Sequence, residues 1–259
     1  MAMIAENLAR VQTKIRDVCR KLGRNLDEIT LIGVTKYADS AHIKEAILAG
    51  LTHIGENKVQ EAQKKFPELK DLNRPITRHM IGHLQTNKVK YIFDLFDLIQ
   101  TVDSLKLAQE INEQAKKRQK NVEVLIEVNT SAEEQKFGVK PQDTLSLVEG
   151  MSKLPNLRLR GLMTMASHSE DQRAVRQCFK DLRNLFENVS RKFTGASNIT
   201  MKYLSMGMSD DFEIALEEGS NMVRIGRAIF TPTPAPTFTV GTGSECRPPK
   251  ERRSDQEAP

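Results

Sequence analysis

From residue 4 the chain sets down apolar residues in steps of four and three. Ile4, Leu8, Val11, Ile15, Val18 and Leu22 form one stripe, while Glu6, Arg10, Lys14, Asp17, Arg20 and Lys21 fill the opposite face. Such spacing predicts an amphipathic helix packed on a domain, ended by Gly23. The period then changes. Short apolar runs at about 30–36, 53–55, 77–81, 98–101, 122–129, 158–163, 200–204 and 222–225 have the length and content of buried strands. Between them a helical period covers 42–48, 59–69, 85–94, 105–117, 144–154, 171–189 and 210–218. Eight strand–helix alternations with short connections predict an α/β protein. The architecture expected is a single (β/α)8 TIM barrel with an extra N-terminal helix, a doubly wound open sheet being the alternative.

After residue 230 the pattern stops. The run TPTPAPTFTVGTGSECRPPKERRSDQEAP is rich in Pro, Thr and Gly and follows neither period, so a barrel at 1–230 and a disordered tail at 231–259 are expected. The tail's Arg247, Lys250, Arg252 and Arg253 are offset by Glu245, Glu251, Asp255 and Glu257, which argues for a solvated segment rather than a nucleic-acid arm. The formal net charge of +5 is likewise scattered among acids, so no nucleic-acid partner is implied. Cys19, Cys178 and Cys246 are odd in number and lack CxxC spacing, which fits reduced thiols in the cytoplasm and suggests no zinc site. No apolar run is long enough for a bilayer, the amino terminus lacks the order of a signal peptide, and Glu6 and Asp17 argue against a transit peptide. No membrane association is expected.

In such a barrel the carboxyl ends of the strands form the functional face. Lys36 closes the first apolar run, where partial loss of hydration would favour the nucleophilic free amine, although most strand-end lysines are simply solvated. Glu56 and Asn57 follow strand two; His83, Gln85 and Asn87 follow strand three; Thr101 and Asp103 close strand four. Strand five ends at Asn129, strand six at Met163, Thr164 and Met165, strand seven at Ser205, Met206 and Gly207, and strand eight at Arg224, Ile225 and Gly226. Ser209 or Asp210 is expected to cap the next helix, with Glu213 completing a capping box to Asp210. Loops after strands seven and eight often hold a phosphate, and Ser205-Met206-Gly207 with Gly226-Arg227 offer a hydroxyl, small residues and backbone amides for one; ordinary glycine turns are the plainer reading. A lysine amine and a phosphate cradle in one mouth suggest a phosphorylated aldehyde, with pyridoxal 5'-phosphate (PLP) the leading candidate.

Longer motifs sharpen this. VTKYAD at 34–39, GENKVQE at 55–61, HMIGHLQTNK at 79–88, TVDS at 101–104, EVN at 127–129, KFG at 136–138, GLMTM at 161–165, LSMGMSDDFEIAL at 204–216 and VRIGRAIF at 223–230 resemble the pyridoxal phosphate homeostasis family, the YggS-like or PROSC-like proteins, across nearly all of residues 4–230. The resemblance implies a type III PLP fold, a single barrel of the alanine racemase amino-terminal type that holds PLP as a Schiff base on Lys36. It places Asn57 near the ring, Arg224 at the pyridine nitrogen, and Ser205, Gly226 and Arg227 on the phosphate, with Met206 and Gly207 lining that pocket. His83, Asn129 and Met163 are implied as further neighbours, with no catalytic residue and no metal. Relatives continue IFG and a basic residue where this chain reads Ile229-Phe230-Thr231-Pro232, which leaves the final helix in question.

An arginine at the pyridine nitrogen keeps that nitrogen unprotonated and weakens the ring as an electron sink. Racemases with this arrangement resemble two-base enzymes whose second base is a tyrosine from a separate domain, and the tyrosines here are Tyr37, Tyr91 and Tyr203. The expected function is therefore cofactor homeostasis without evident turnover, by a cytoplasmic monomer whose partners are PLP and PLP-dependent acceptor enzymes. A racemase-like or aldolase-like Schiff-base enzyme using Lys36 as base is the alternative. A cofactor-free interaction barrel would leave Lys36 without a purpose.

Overall fold

In the computed structural model, which describes residues 2–231 apart from Ala132, Glu134 and 167–170, each expected strand forms. They are β1 (Thr30–Val34), β2 (His53–Glu56), β3 (Thr77–Met80), β4 (Leu98–Val102), β5 (Val122–Glu127), β6 (Leu157–Met163), β7 (Ile199–Ser205) and β8 (Met222–Ile225). All neighbours are parallel. β1 decides between barrel and open sheet: Gly33 is in register with Ile54 of β2 on one side and with Ile225 of β8 on the other, so the sheet closes in sequence order.

The helices are α1 (Ala2–Leu22), α2 (Ser40–Leu48), α3 (Val59–Lys65), α4 (Leu105–Lys117), α5 (Thr144–Ser152), α6 (Gln172–Lys192), α7 (Phe212–Glu217) and α8 (Arg227–Phe230). Two differ from the expected pattern. α3 gives way to a 3-10 segment at Phe66–Leu72, where Pro67 supplies no backbone N–H. The segment after β3 is a 3-10 turn, Thr86–Tyr91, rather than an α-helix; Thr86 and Asn87 are weak helix formers at its start. The capping box is also absent. Asp211 precedes α7 and accepts a hydrogen bond from the Met208 amide at 2.5 Å, whereas Asp210 pairs with Arg227.

Alternation along each strand gives the wall two apolar faces. Ile54, Met80, Ile99, Val124, Ile126, Val223 and Ile225 pack outward against the helices, in a cluster that includes the α1 residues Ile4, Leu8, Val11, Ile15 and Val18. Ile32, Leu98, Leu125, Met163 and Met222 fill the interior. α1 is stitched to the end of the barrel: the Asn7 side-chain amide donates to the carbonyls of Ile229 (3.0 Å) and Thr231 (3.2 Å), carbonyls that a helix end leaves without intrahelical partners. A short final helix is thus present despite the departure at Thr231. The expected tail lies outside the described residues from position 232 onward, as does Cys246, while Cys19 and Cys178 are buried free thiols. Among the described residues no helix is long and apolar enough to cross a membrane.

Candidate functional site at the barrel mouth

β1 stops at Val34, so Lys36 stands in the turn beyond it. Its side chain is exposed, with Nζ 4.7 Å from the centroid of the Tyr37 ring, and the expected loss of hydration is not present. The turn is held from below. Thr35 is fully buried; its amide donates to the Gly55 carbonyl at 2.9 Å and its hydroxyl lies 2.9 Å from Glu56 Oε2. Lys65 of α3 donates to both the Thr35 carbonyl (2.9 Å) and Glu56 Oε2 (3.0 Å), and Glu56 Oε1 accepts from the Asn57 amide at 2.8 Å. Glu56 is 1% exposed, so this charge pair is a desolvated clamp that fixes the Lys36 turn and Asn57 together.

Asn57 itself brings an unsatisfied group: its Oδ1 is buried without a hydrogen-bond partner. The neighbouring backbone is so close that a Cβ on Gly82 would stand 2.3 Å from the Asn57 carbonyl oxygen, which explains the glycine in HMIGHLQ. His83 lies on the rim, stacked on Phe137 with centroids 3.9 Å apart, its Nδ1 3.4 Å from Asp103 Oδ2. Asn129 is tied to its own loop. Its Nδ2 donates to the carbonyls of Glu133 (2.8 Å) and Lys136 (3.4 Å) and its Oδ1 accepts from the Ser131 hydroxyl (2.9 Å), so it organises the loop after β5. Met163 is fully buried in the interior apolar cluster.

Inside the barrel the polar residues converge on Arg224. Its Nη1 donates to Ser205 Oγ at 2.7 Å and its Nη2 to the Thr164 carbonyl at 2.8 Å. Burial lowers its pKa to about 10, opposed by the negative charges of Asp211 and Glu127, so it stays a cation at neutral pH. Glu127, 2% exposed and with Oε2 unpartnered, is pushed up to about 7 by burial and by Asp103, partly offset by Arg224. Ser205, expected on a phosphate, accepts from Arg224 and donates to Gln100 Oε1 at 2.7 Å, which commits its one proton within the barrel. Gln100, His79 and Glu127 escaped the sequence reading. The available signal was a polar residue two positions beyond an inward apolar one, as in Leu98–Gln100 and Leu125–Glu127.

The segment after β7 also divides. Alternation beyond inward-facing Ser205 turns the Met206 side chain into the outer core, and its amide donates to the Met222 carbonyl at 3.1 Å. Gly207 sits at φ +100 with its Cβ position 2.7 Å from the Ala215 methyl, so α7 requires a glycine there. Gly226 and Arg227 open α8, and the first amides of a helix have no intrahelical acceptor. The Ala228 amide points to Ser209 Oγ at 3.4 Å, and the Arg227 guanidinium is paired with Asp210. The carboxyl ends of β1, β2 and β8 thus carry a lysine amine, an orphaned Asn57 oxygen, a buried cationic donor and the opening amides of α8. That donor set fits a planar phosphorylated aldehyde with a basic ring nitrogen.

Residues 7–234 match the family model described as alanine racemase, N-terminal domain. A pyridoxal phosphate homeostasis protein from Aquifex aeolicus (strain VF5) is 42% identical over 225 residues, 87% of this chain and 96% of its own length. Among solved structures, a protein of unknown function from Bifidobacterium adolescentis superimposes with a TM-score of 0.85 at 34% identity, over 88% of this chain and 95% of that one. PipY of Synechococcus elongatus PCC7942, solved with PLP bound, gives 0.76 at 31% identity, over 88% and 99%.

Proposed function

The chain belongs to the pyridoxal phosphate homeostasis family, built on the alanine racemase N-terminal barrel, and from that premise we propose that Lys36 is the tether of a reversible PLP site at the barrel mouth. The protein binds PLP and acts in its homeostasis. When bound, the cofactor supplies an aldehyde for reversible Schiff-base attachment to an amine. The chain's own residues do the rest. Lys65 and Glu56 fix the backbone that carries Lys36, Asn57 offers an acceptor beside it, and the opening amides of α8 at Gly226 and Arg227 receive the phosphate.

The observation that carries this reading is Arg224. It is a buried, permanent donor beneath the mouth whose described hydrogen bonds go to neutral oxygens, so its remaining N–H groups are available to an acceptor such as a pyridine nitrogen. A ring held this way stays unprotonated and is a poor electron sink, which favours holding over turnover. A racemase-like reading needs a second base. Of the three tyrosines, Tyr91 lies in the 3-10 turn after β3, Tyr203 packs on the interior cluster, and Tyr37 is 84% exposed beneath the Lys36 ammonium. The exposure of Lys36, Tyr37 and Phe137 suits exchange of cofactor with a second protein, and PLP-dependent acceptor enzymes are the proposed recipients.

Borohydride reduction of the purified protein after incubation with PLP, followed by peptide mapping, tests the tether. A pyridoxyl group on Lys36 is the expected result, and Lys36→Ala removes it. Labelling confined to other lysines would sink the assignment, and sustained racemisation of amino acids above that given by free PLP would restore the enzyme reading.

A further inference from the structure

We propose that Gln100 and His79 are positioning residues for Arg224: acting through Ser205, they hold its guanidinium by a hydrogen-bond relay that runs in one direction across the barrel to His53. The members come from five strands. Arg224 Nη1 lies 2.7 Å from Ser205 Oγ, which lies 2.7 Å from Gln100 Oε1; Gln100 Nε2 lies 3.0 Å from His79 Nδ1, and His79 Nε2 lies 3.0 Å from His53 Nδ1. His53 opens β2 at the amino-terminal end of the barrel, opposite the mouth, and is half-buried; Gln100 and Ser205 are fully buried, and His79 is 1% exposed.

The direction follows from which groups lack an alternative. A guanidinium has hydrogens to give and no lone pair to offer, so Ser205 must accept from it. The serine proton then goes to Gln100 Oε1, and the Gln100 amide must face the histidine. A second contact fixes that orientation independently: Nε2 also lies 3.3 Å from Met222 Sδ, an acceptor without a hydrogen, so both amide hydrogens have partners. Turning the amide over would set its oxygen against that sulfur. His79 Nδ1 is therefore the bare nitrogen and Nε2 carries the proton, which it gives to His53 Nδ1. Both rings are required to be neutral, each in the Nε2–H form.

The surroundings satisfy that requirement. Burial, with a smaller push from His53, lowers the His79 pKa to about 3. His53 is lowered too, chiefly by its own burial, with Asp97 raising it and Lys202 lowering it. Arg224 is thus gripped at two points, by the Thr164 carbonyl on one nitrogen and by the relay on the other. Without the relay, Ser205 is free to rotate and the guanidinium loses one of two fixed acceptors. The effect on cofactor rests on the binding reading above; the relay itself does not.

The test begins on the cofactor-free protein, with 15N-labelled histidine and two-bond nitrogen–proton NMR correlations. His79 and His53 are expected as neutral Nε2–H tautomers. In Gln100→Glu, recorded at about pH 9 so that the buried carboxyl is ionised, the new carboxylate has no hydrogen to offer, and a proton is expected on His79 Nδ1. A protonated Nδ1 on His79 in the unaltered protein, or a bare Nδ1 in Gln100→Glu, overturns the relay. The second arm loads PLP. Gln100→Leu is expected to shift the visible band of the bound cofactor and to weaken binding roughly three- to tenfold, the loss of one buried hydrogen bond. Ser205→Ala carries the same test should Gln100→Leu fail to fold. An unchanged band and affinity overturn the positioning role, whereas failure of the unaltered protein to take up PLP would count against the binding reading instead.

Discussion

The two faces of the barrel wall are built by different rules, and β5 shows both within four residues. Val124 and Ile126 face outward into the cluster shared with the helices, and Leu125 faces inward onto Ile32, Leu98, Met163 and Met222. One step further, inward-facing Glu127 is as buried as they are yet ionisable, with an unpartnered oxygen. On the outer face burial and packing act together, so each residue adds to stability in proportion to the apolar area it covers. On the inner face the apolar floor gives way to His79, Gln100, Glu127, Ser205 and Arg224, groups that cost stability unless partnered. The outer seam makes the barrel, and the inner face is where stability is traded for a site.

The clearest way to break this division is at its exception, the buried charge pair on the helix side of the wall. Lys65→Met leaves the Glu56 carboxylate desolvated with no cation and removes the donor to the Thr35 carbonyl. A loss of about 3–5 kcal/mol in urea unfolding is expected, together with less efficient borohydride labelling of Lys36. Adding Glu56→Leu is expected to recover part of the stability, since it removes the unpaired charge but leaves the Asn57 amide without its acceptor. A single-variant cost below about 1 kcal/mol would mean that the clamp is not formed.

Glu127 sharpens the comparison from the inner side. Its folded pKa of about 7 lies above the ordinary value of 4.5, so between those values the native state holds a proton that the unfolded chain has released. The contribution of Glu127 to stability is therefore greatest below about pH 4.5, falls as pH rises through about 7, and then levels off; a shift of this size corresponds to roughly 3 kcal/mol. Glu127→Gln removes that loss. The variant is expected to match the unaltered protein near pH 4 and to exceed it by up to roughly 3 kcal/mol at pH 8 in thermal or urea unfolding. Parallel pH profiles for the two proteins would show that Glu127 does not carry the penalty.

The difference between the faces also decides what could be read from the chain. All eight strands and the barrel were legible, because outward Val124 or Ile126 and inward Leu125 are equally apolar and mark a buried strand without saying which face is which. The residues proposed for the site, Lys36, Asn57, Arg224 and the Gly226-Arg227 turn, stand out in the sequence as strand-end chemistry and by motif resemblance. Direction is what the sequence does not show. Met206 and Asn129 stand at strand ends in sequence, but one turns to the helices and the other to its own loop, and neither choice is written in a local pattern. The partners of Arg224 come from β7, from β4 through Ser205, and from the loop after β6, contacts that only closure of the barrel brings together.

The smallest expected effect is the control on which the comparison depends. Ile126→Val removes one methylene from a fully buried outward position adjacent in sequence to Glu127. Its cost is set by lost packing alone, about 1 kcal/mol in urea unfolding, and it is independent of pH across the range in which Glu127 titrates. Because the side chain points away from the interior, the visible spectrum and affinity of bound PLP are expected to stay as they were. A shift in the cofactor band from this variant would show that the wall transmits outer packing to Arg224, and the two faces would then have to be treated as one system.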